Sequence, residues 1–182
     1  MKKTLLMFSL VALSAVQVWA QKKVTTSATV KFDASTSLDA LPKAENKTVI
    51  ATLNTQDGTV AFEAAVKNFA FSNPMIQEHF NGANWLNSDK FPTFTYKGTI
   101  TDLSAVNFGK DGSYPVKTEG VLTVKGVEQK VAVPATISIK GGVITAAADF
   151  TIKLSDYGIS GAPIDAGKVS KEPKIAVSAE LK

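Results

Sequence analysis

Residues 93–101 read TFTYKGTIT, and this stretch alternates between two kinds of side chain without interruption. Phe94, Tyr96, Gly98 and Ile100 fall on one side, and threonine or lysine occupies every position between them. A period of two is typical of a β-strand that buries one face and exposes the other. The stretch therefore predicts a half-buried strand of the kind that antiparallel sheets contain.

Similar patterns recur along the rest of the chain. Within residues 59–66, apolar positions alternate in the same way, and the turn dipeptides Asp57-Gly58 and Gly141-Gly142 are typical of hairpins. The other strand-like segments are residues 29–33, 48–54, 116–125, 130–139, 143–154 and 174–181. Residues 160–170 have the composition of a loop.

Seven or eight short strands with turn residues between them indicate an all-β domain, either an antiparallel barrel or a sandwich. We favour the barrel, because the final strand, residues 174–181, can pair with the first and so remove both exposed edges. A barrel of eight strands can be filled by its own side chains or can hold one small ligand.

One short helix is predicted to interrupt the strands. Asn73 can cap its first turn, Pro74 is tolerated at the first helical position, and Asn81-Gly82 is a typical end. One helical face is expected to carry Met75, Ile76, His79 and Phe80. Such a short helix needs to pack on the sheet to be stable.

The N-terminal segment has the three parts of a secretory signal peptide. Lys2 and Lys3 precede an apolar run from Thr4 to Val16, and Val18-Trp19-Ala20 suits a signal peptidase. The run is shorter than the roughly 20 residues that a membrane span needs. We therefore expect cleavage after Ala20, export to a bacterial periplasm, and a mature single domain of residues 21–182 without a transmembrane span.

Charge and composition argue against several classes of function. Loss of Lys2 and Lys3 from 20 basic residues leaves 18 against 16 acidic ones, a net charge of +2, and every basic residue is lysine. A weakly charged domain without arginine is a poor nucleic-acid binder, so we expect no nucleic-acid partner. The absence of cysteine excludes disulfides, thiol catalysis and thiolate metal sites.

The sequence contains no recognisable catalytic or metal-binding pattern. His79 is the only histidine, and we interpret it as a packed or hydrogen-bonded helix residue. One histidine without cysteine does not support a zinc site, and no acidic stretch has the spacing of a calcium loop. We predict a protein that is not an enzyme, with no catalytic residue and no metal, and keep catalysis through His79 as a further alternative.

Aromatic residues are the remaining candidates for a functional site. The mature chain has nine phenylalanines, three tyrosines and one tryptophan, many of them in its middle third. Some of these side chains must form the core, and others can line an apolar pocket in the barrel. The candidate ligand-binding residues are Phe62, Phe69, Phe71, Phe80, Trp85, Phe94, Tyr96 and Phe150. The sequence alone leaves a filled and a hollow barrel as alternatives.

Three stretches resemble signatures of the YceI family. Residues 75–98 contain a helix with a histidine, the acidic-Lys-aromatic-Pro turn Asp89-Lys90-Phe91-Pro92, and the alternating strand quoted above. Residues 122–131 resemble the hairpin of that family with its Gly-Val turn, and residues 155–159 resemble its Ser-Asp-aromatic-Gly-Ile element. Order and spacing agree over most of residues 27–182, although residues 80–85 depart from the usual pattern.

This resemblance implies an eight-stranded antiparallel, lipocalin-like barrel in the periplasm. It implies an internal cavity for a polyisoprenoid, quinone or similar amphipathic lipid that is sequestered or carried, with no other cofactor. Some members of the family are linked to isoprenoid handling and to acid or osmotic stress. The alternative is a lipid-free stress or interaction protein with a filled barrel. Whether the protein forms a homodimer is left open.

Overall fold

The structure, a computed structural model, describes residues 22–182. The predicted signal peptide lies outside the described residues. The strands are β1 (Lys22–Asp33), β2 (Lys43–Asn54), β3 (Thr59–Ala65), β4 (Ala70–Phe71), β5 (Thr93–Ile100), β6 (Gly112–Val124), β7 (Val127–Lys140), β8 (Val143–Thr151) and β9 (Lys174–Leu181). The helices are α1 (Pro74–Asn81) and α2 (Ala162–Asp165), with short 3-10 turns at Val66–Asn68, Leu103–Ala105 and Leu154–Tyr157.

Eight of these strands close into an antiparallel barrel. The hydrogen-bonded order runs β1-β9-β8-β7-β6-β5-β3-β2, and β2 returns to β1, so the long strands of the barrel have neighbours on both sides. The pairing of β1 with β9 joins the first strand to the last, which confirms the predicted closure and the all-β, lipocalin-like barrel. The two-residue strand β4 is an addition that pairs with the start of β2.

An irregularity in the pairing of β1 with β2 changes which face of β2 is buried. Ala28 pairs with Val49 and Val30 with Asn46, so β2 advances three residues while β1 advances two. Such a bulge reverses the alternation of buried and exposed residues. Asn46 and Val49 are accordingly both fully buried, although residues three positions apart on a regular strand face opposite sides. The Asn46 side chain accepts hydrogen bonds from the backbone N–H and the hydroxyl of Thr48, which stabilises the extra residue.

The predicted helix is confirmed as α1. The Asn73 side chain accepts a hydrogen bond from the N–H of Met75 at 2.9 Å, and Gly82 ends the helix. The predicted buried face is only partly right. Phe80 is buried, but His79 is exposed and Met75 is 64% exposed. The interpretation of His79 as a packed residue is therefore wrong, because α1 contacts the barrel through the neighbouring side of the helix. The segment predicted as a loop contains the single helical turn α2.

The two ends of the barrel differ in how they are covered. We call the end with the turns at residues 55–58 and 141–142 the lower end, and the end with α1, residues 82–92 and the 3-10 turn Leu154–Tyr157 the upper end. Within residues 22–182, none of the helices has both the length and the apolar character required to cross a membrane.

Candidate functional site: an apolar cavity in the barrel

The upper part of the barrel is hollow. Its cavity has a volume of about 160 Å³, measured as the space open to the centre of a water-sized sphere. By that measure, one water needs about 10–15 Å³, so the space is far larger than a packing defect. On β6 the lining runs from Val116 to Val124. Eight residue steps of about 3.3 Å on a tilted strand correspond to about 20 Å along the barrel axis.

Small residues on the inward register create this space. Gly98 and Gly120 lie directly opposite each other on β5 and β6. On the neighbouring strands, Ala135 pairs with Ala148, and both line the cavity together with Ala146. An eight-stranded barrel is just wide enough for ordinary core side chains to fill. Alanine at these positions therefore leaves the middle of the barrel empty, whereas the place of a Gly98 side chain is taken by the Tyr96 phenol and that of Gly120 by the backbone of β5.

The lower end is filled by large apolar side chains. Ile139 pairs with Ile144, and Ile144 pairs with Leu181, so these three residues are neighbours on β7, β8 and β9. Together with Leu53 and Val106 they are at most 7% exposed and belong to the hydrophobic core without lining the cavity. This layer closes the cavity below, so that access is expected at the upper end.

Aromatic side chains surround the cavity at and below the upper end. Phe80 of α1 contacts Phe32, Phe69 and Phe71, with ring centroids 5.8, 5.9 and 4.8 Å away. Phe69 in turn lies 5.8 Å from Phe94. These tilted and edge-on contacts fix α1 over the barrel, because aromatic pairs in such orientations add to the free energy gained from burial.

Seven of the eight candidate ligand-binding residues line the cavity. These seven are Phe62, Phe69, Phe80, Trp85, Phe94, Tyr96 and Phe150. The eighth, Phe71, packs behind Phe80 and is not part of the wall. The positions of these side chains are thus known, and their contact with a ligand stays a prediction.

Sequence analysis did not select several residues that form the wall. Phe32 was passed over because it lies outside the aromatic-rich middle of the chain, although it alternates inward with Val30 on β1. Thr118 and the alanines of β7 and β8 were also missed. The alternation in those strands indicates that these residues face the interior of the barrel. A search for large apolar residues does not find the small residues that make a cavity.

One hydrogen-bonded pair of hydroxyls faces the apolar interior. The Oη of Tyr96 lies 2.7 Å from the Oγ1 of Thr118, and Thr118 is 3.4 Å from the carbonyl oxygen of Val133. Burial raises the pKa of Tyr96, and the nearby charge of Glu119 adds to that rise, while the hydrogen bond to Thr118 opposes it. The phenol is therefore neutral at ordinary pH.

The three stretches that carry the family resemblance meet at the upper end. The carbonyl oxygen of Pro92 accepts a hydrogen bond from the N–H of Val66. The Phe91 ring lies against Gly126 of the β6–β7 turn, where an added Cβ would be 2.5 Å from the ring. On the far side of that hairpin, Gln129 donates to the carbonyl oxygen of Asp156 at 2.7 Å. These contacts hold the upper rim of the barrel together.

The described residues offer little to a catalytic mechanism. His79 is exposed on α1 and does not line the cavity. Within residues 22–182, no three His, Asp or Glu side chains lie close enough to hold a metal ion. Every described residue of the cavity wall is uncharged. The arrangement is one that can enclose an apolar molecule.

A closed antiparallel barrel around a deep apolar cavity defines a lipocalin-like protein. Comparison with protein families extends this conclusion: the model of the YceI-like domain matches residues 12–181, and the chain belongs to that family. A search of curated proteins finds no match.

Solved structures of the same fold come from several bacteria. The polyisoprenoid-binding domain of Saccharophagus degradans, implicated in plant cell wall breakdown, has a TM-score of 0.74 and 9% identity and covers 89% of this chain and 98% of its own. BcnA of Burkholderia cenocepacia has a TM-score of 0.67 and 19% identity, with 85% and 96% covered. The YceI protein of Campylobacter jejuni has a TM-score of 0.52 and 18% identity, with 74% and 80% covered. At these identities the likeness shows the fold.

Proposed function

We propose that this protein binds an isoprenoid, quinone or similar amphipathic lipid in the barrel cavity and sequesters or carries it in the periplasm. The observation that carries the proposal is the cavity itself, about 160 Å³ in volume and walled by apolar side chains along about 20 Å of the barrel. The name of the Saccharophagus degradans structure, a polyisoprenoid-binding domain, supports the same ligand class.

The physical basis is the removal of an apolar chain from water. Each buried methylene contributes about 0.8 kcal/mol, so a prenyl chain that fills the cavity gains a substantial free energy even after the cost of ordering it. No residue needs to act chemically for such binding. The hollow interior favours this function over the alternative of a filled barrel that binds no lipid.

Periplasmic residence is supported by the N-terminal sequence. Lys2 and Lys3, the apolar run and the Ala20 cleavage position fit a secretory signal. A carrier with a shielded cavity has a clear use between two membranes, because a long isoprenoid does not cross water unaided.

Native mass spectrometry of protein purified after expression of the full chain in a bacterium tests both parts of the proposal. We expect a polypeptide that begins at Gln21 and carries an added mass matching a prenyl lipid or quinone in the organic extract. Protein that stays ligand-free after incubation with prenyl lipids would contradict lipid binding. Retention of residues 1–20 would contradict export through a cleaved signal.

A matched pair of variants locates the ligand. Ala148→Phe places a ring inside the cavity, whereas Ala132→Phe places the same ring on the exposed side of β7. We expect the first variant to lose the bound lipid and the second to keep it. Equal lipid content in both proteins would show that the lipid binds elsewhere.

A further inference from the structure

The Tyr96–Thr118 pair lies deep in the cavity. Thr118 pairs with Ile100, the last residue of β5, and only Val116 of β6 lines the cavity below it. Tyr96 is four residues higher on β5, opposite Leu122, so its side chain extends downward to reach Thr118. A ligand that enters from the upper end meets the aromatic rings first and these hydroxyls last.

Gly98 on β5 accommodates this conformation of Tyr96. A Cβ on Gly98 would lie 2.5 Å from the Tyr96 Oη and 2.8 Å from its Cζ, so the phenol rests across the place where a side chain would be. Directly opposite, a Cβ on Gly120 would lie 2.4 Å from the carbonyl oxygen of Lys97 and 2.6 Å from the Cα of Gly98, so β5 and β6 approach each other closely here. The phenol is thus held along the wall and leaves the axis of the cavity free.

The pair has hydrogen-bonding capacity to spare. Two hydroxyls together have two donors and four lone pairs. Their mutual bond uses one donor, and the contact of Thr118 with the carbonyl oxygen of Val133, at 3.4 Å, is long for an O–H donor. Because hydroxyl hydrogens rotate, the pair can donate to a carbonyl or accept from an alcohol.

A charged group is excluded at this depth. Every described residue of the cavity wall is uncharged, and an ion that loses its water without a partner is strongly disfavoured. Among the described lining residues, Tyr96 and Thr118 carry the only hydroxyls on the inward register, since Thr95 lies on the outward register of β5. A neutral oxygen is therefore the polar group that this position fits.

We propose that Tyr96 and Thr118 form a subsite for a neutral hydroxyl or carbonyl at the buried end of the lipid. This inference rests on the proposed function and specifies the ligand: an apolar chain with an uncharged oxygen group inserted first, rather than one held by a phosphate or carboxylate at that end.

Binding of geranylgeraniol and of the hydrocarbon that lacks its hydroxyl tests the subsite. Trp85 lines the cavity and is the only tryptophan of residues 21–182, the proposed mature chain, so its fluorescence reports both ligands. In Tyr96→Phe, the ratio of the two affinities should shift about fivefold toward the hydrocarbon, which corresponds to one neutral hydrogen bond. The ratio cancels the different water solubilities of the probes.

Thr118→Val is the second variant, since it removes the other hydroxyl at nearly constant volume. A ratio that stays unchanged in both variants would overturn the subsite while leaving lipid binding intact. This includes the case in which the protein binds both probes equally more weakly, because the pair would then have a purely structural role. Failure of the parent protein to bind either probe would instead contradict the proposed function.

Discussion

The contact between Phe91 and Gly126 predicts that two glycines in equivalent turns respond differently to the same substitution. The β6–β7 turn has Lys125 at φ 52° and Gly126 at φ 75°, and the β7–β8 turn has Gly141 at φ 57° and Gly142 at φ 81°. Both are two-residue hairpin turns of the same type. Gly126 and Gly142 thus occupy the same backbone position in two different surroundings.

The magnitudes follow from these surroundings. An alanine at either glycine meets the left-handed penalty of about 1–2 kcal/mol. At Gly142 nothing lies within 4 Å of an added Cβ, so Gly142→Ala should lose only that amount. At Gly126 the Cβ would lie 2.5 Å from the Phe91 ring. Forcing the ring aside adds about 1–3 kcal/mol, so Gly126→Ala should lose about 2–5 kcal/mol in all.

Urea unfolding of both variants, followed by circular dichroism, measures the two losses. Phe91→Ala separates the terms: in that background Gly126→Ala should cost no more than Gly142→Ala, because the ring that it would strike is gone. Equal losses for the two glycines in the parent protein would refute the contact. If Gly126→Ala still costs more than Gly142→Ala in the Phe91→Ala background, the additional strain lies in the backbone and not in the contact with the ring.

Three further predictions concern the sheet, a buried tyrosine and the helix cap. Gly120→Ala should destabilise the protein by about 2–4 kcal/mol in urea unfolding. Its Cβ would lie 2.4 Å from the carbonyl oxygen of Lys97, so β5 and β6 would have to separate. A variant as stable as the parent would show that the two strands are less closely apposed. Burial, with a smaller effect of the Asp156 charge, raises the pKa of Tyr157 to about 12. The folded state therefore disfavours the phenolate, and the free energy of unfolding should be unaffected below pH ~10 and fall by about 2 kcal/mol between pH ~10 and pH ~12. Tyr157→Phe should show a smaller decline over that range, and a parallel pH profile would contradict the shift. Asn73→Ala should cost about 1 kcal/mol through loss of the helix cap, whereas Asn73→Asp should retain most of it; equal losses in the two variants would contradict the cap.

The strands of the barrel were predictable because each carries its own alternation. Residues 59–66 and 93–101 face inward at the positions that the sequence indicates. The bulge at Asn46 was not predictable, since it depends on how β1 and β2 pair rather than on either strand alone. The two-residue strand β4 has no period to detect. The face of α1 was misjudged at His79, because eight residues fit more than one apolar stripe.

The aromatic residues of the candidate site could be predicted from the sequence, but the presence of a cavity between them could not. Large apolar residues such as Phe62 and Phe94 are conspicuous in the sequence and do line the cavity. Whether they enclose space depends on the residues across the barrel, and Ala135 and Ala148 face them from β7 and β8. That combination arises only when the sheet closes, so both a filled and a hollow barrel were compatible with the sequence.

The change from a filled lower end to a hollow upper part occurs along the same strands. On β8 the inward register passes from Ile144 to Ala146 and Ala148. At about 24 cal/mol per Å³, an empty cavity of about 160 Å³ lowers stability by on the order of 4 kcal/mol. A ligand that fills the space restores that free energy, and a larger side chain that fills it has the same effect.

Ala148→Phe should therefore leave the lipid-free protein as stable as the parent or more stable. In a filled barrel the same ring would be overpacked and would cost about 1–3 kcal/mol. Thermal unfolding of the delipidated proteins decides between the two, and a lower melting temperature for Ala148→Phe than for Ala132→Phe would refute the hollow barrel.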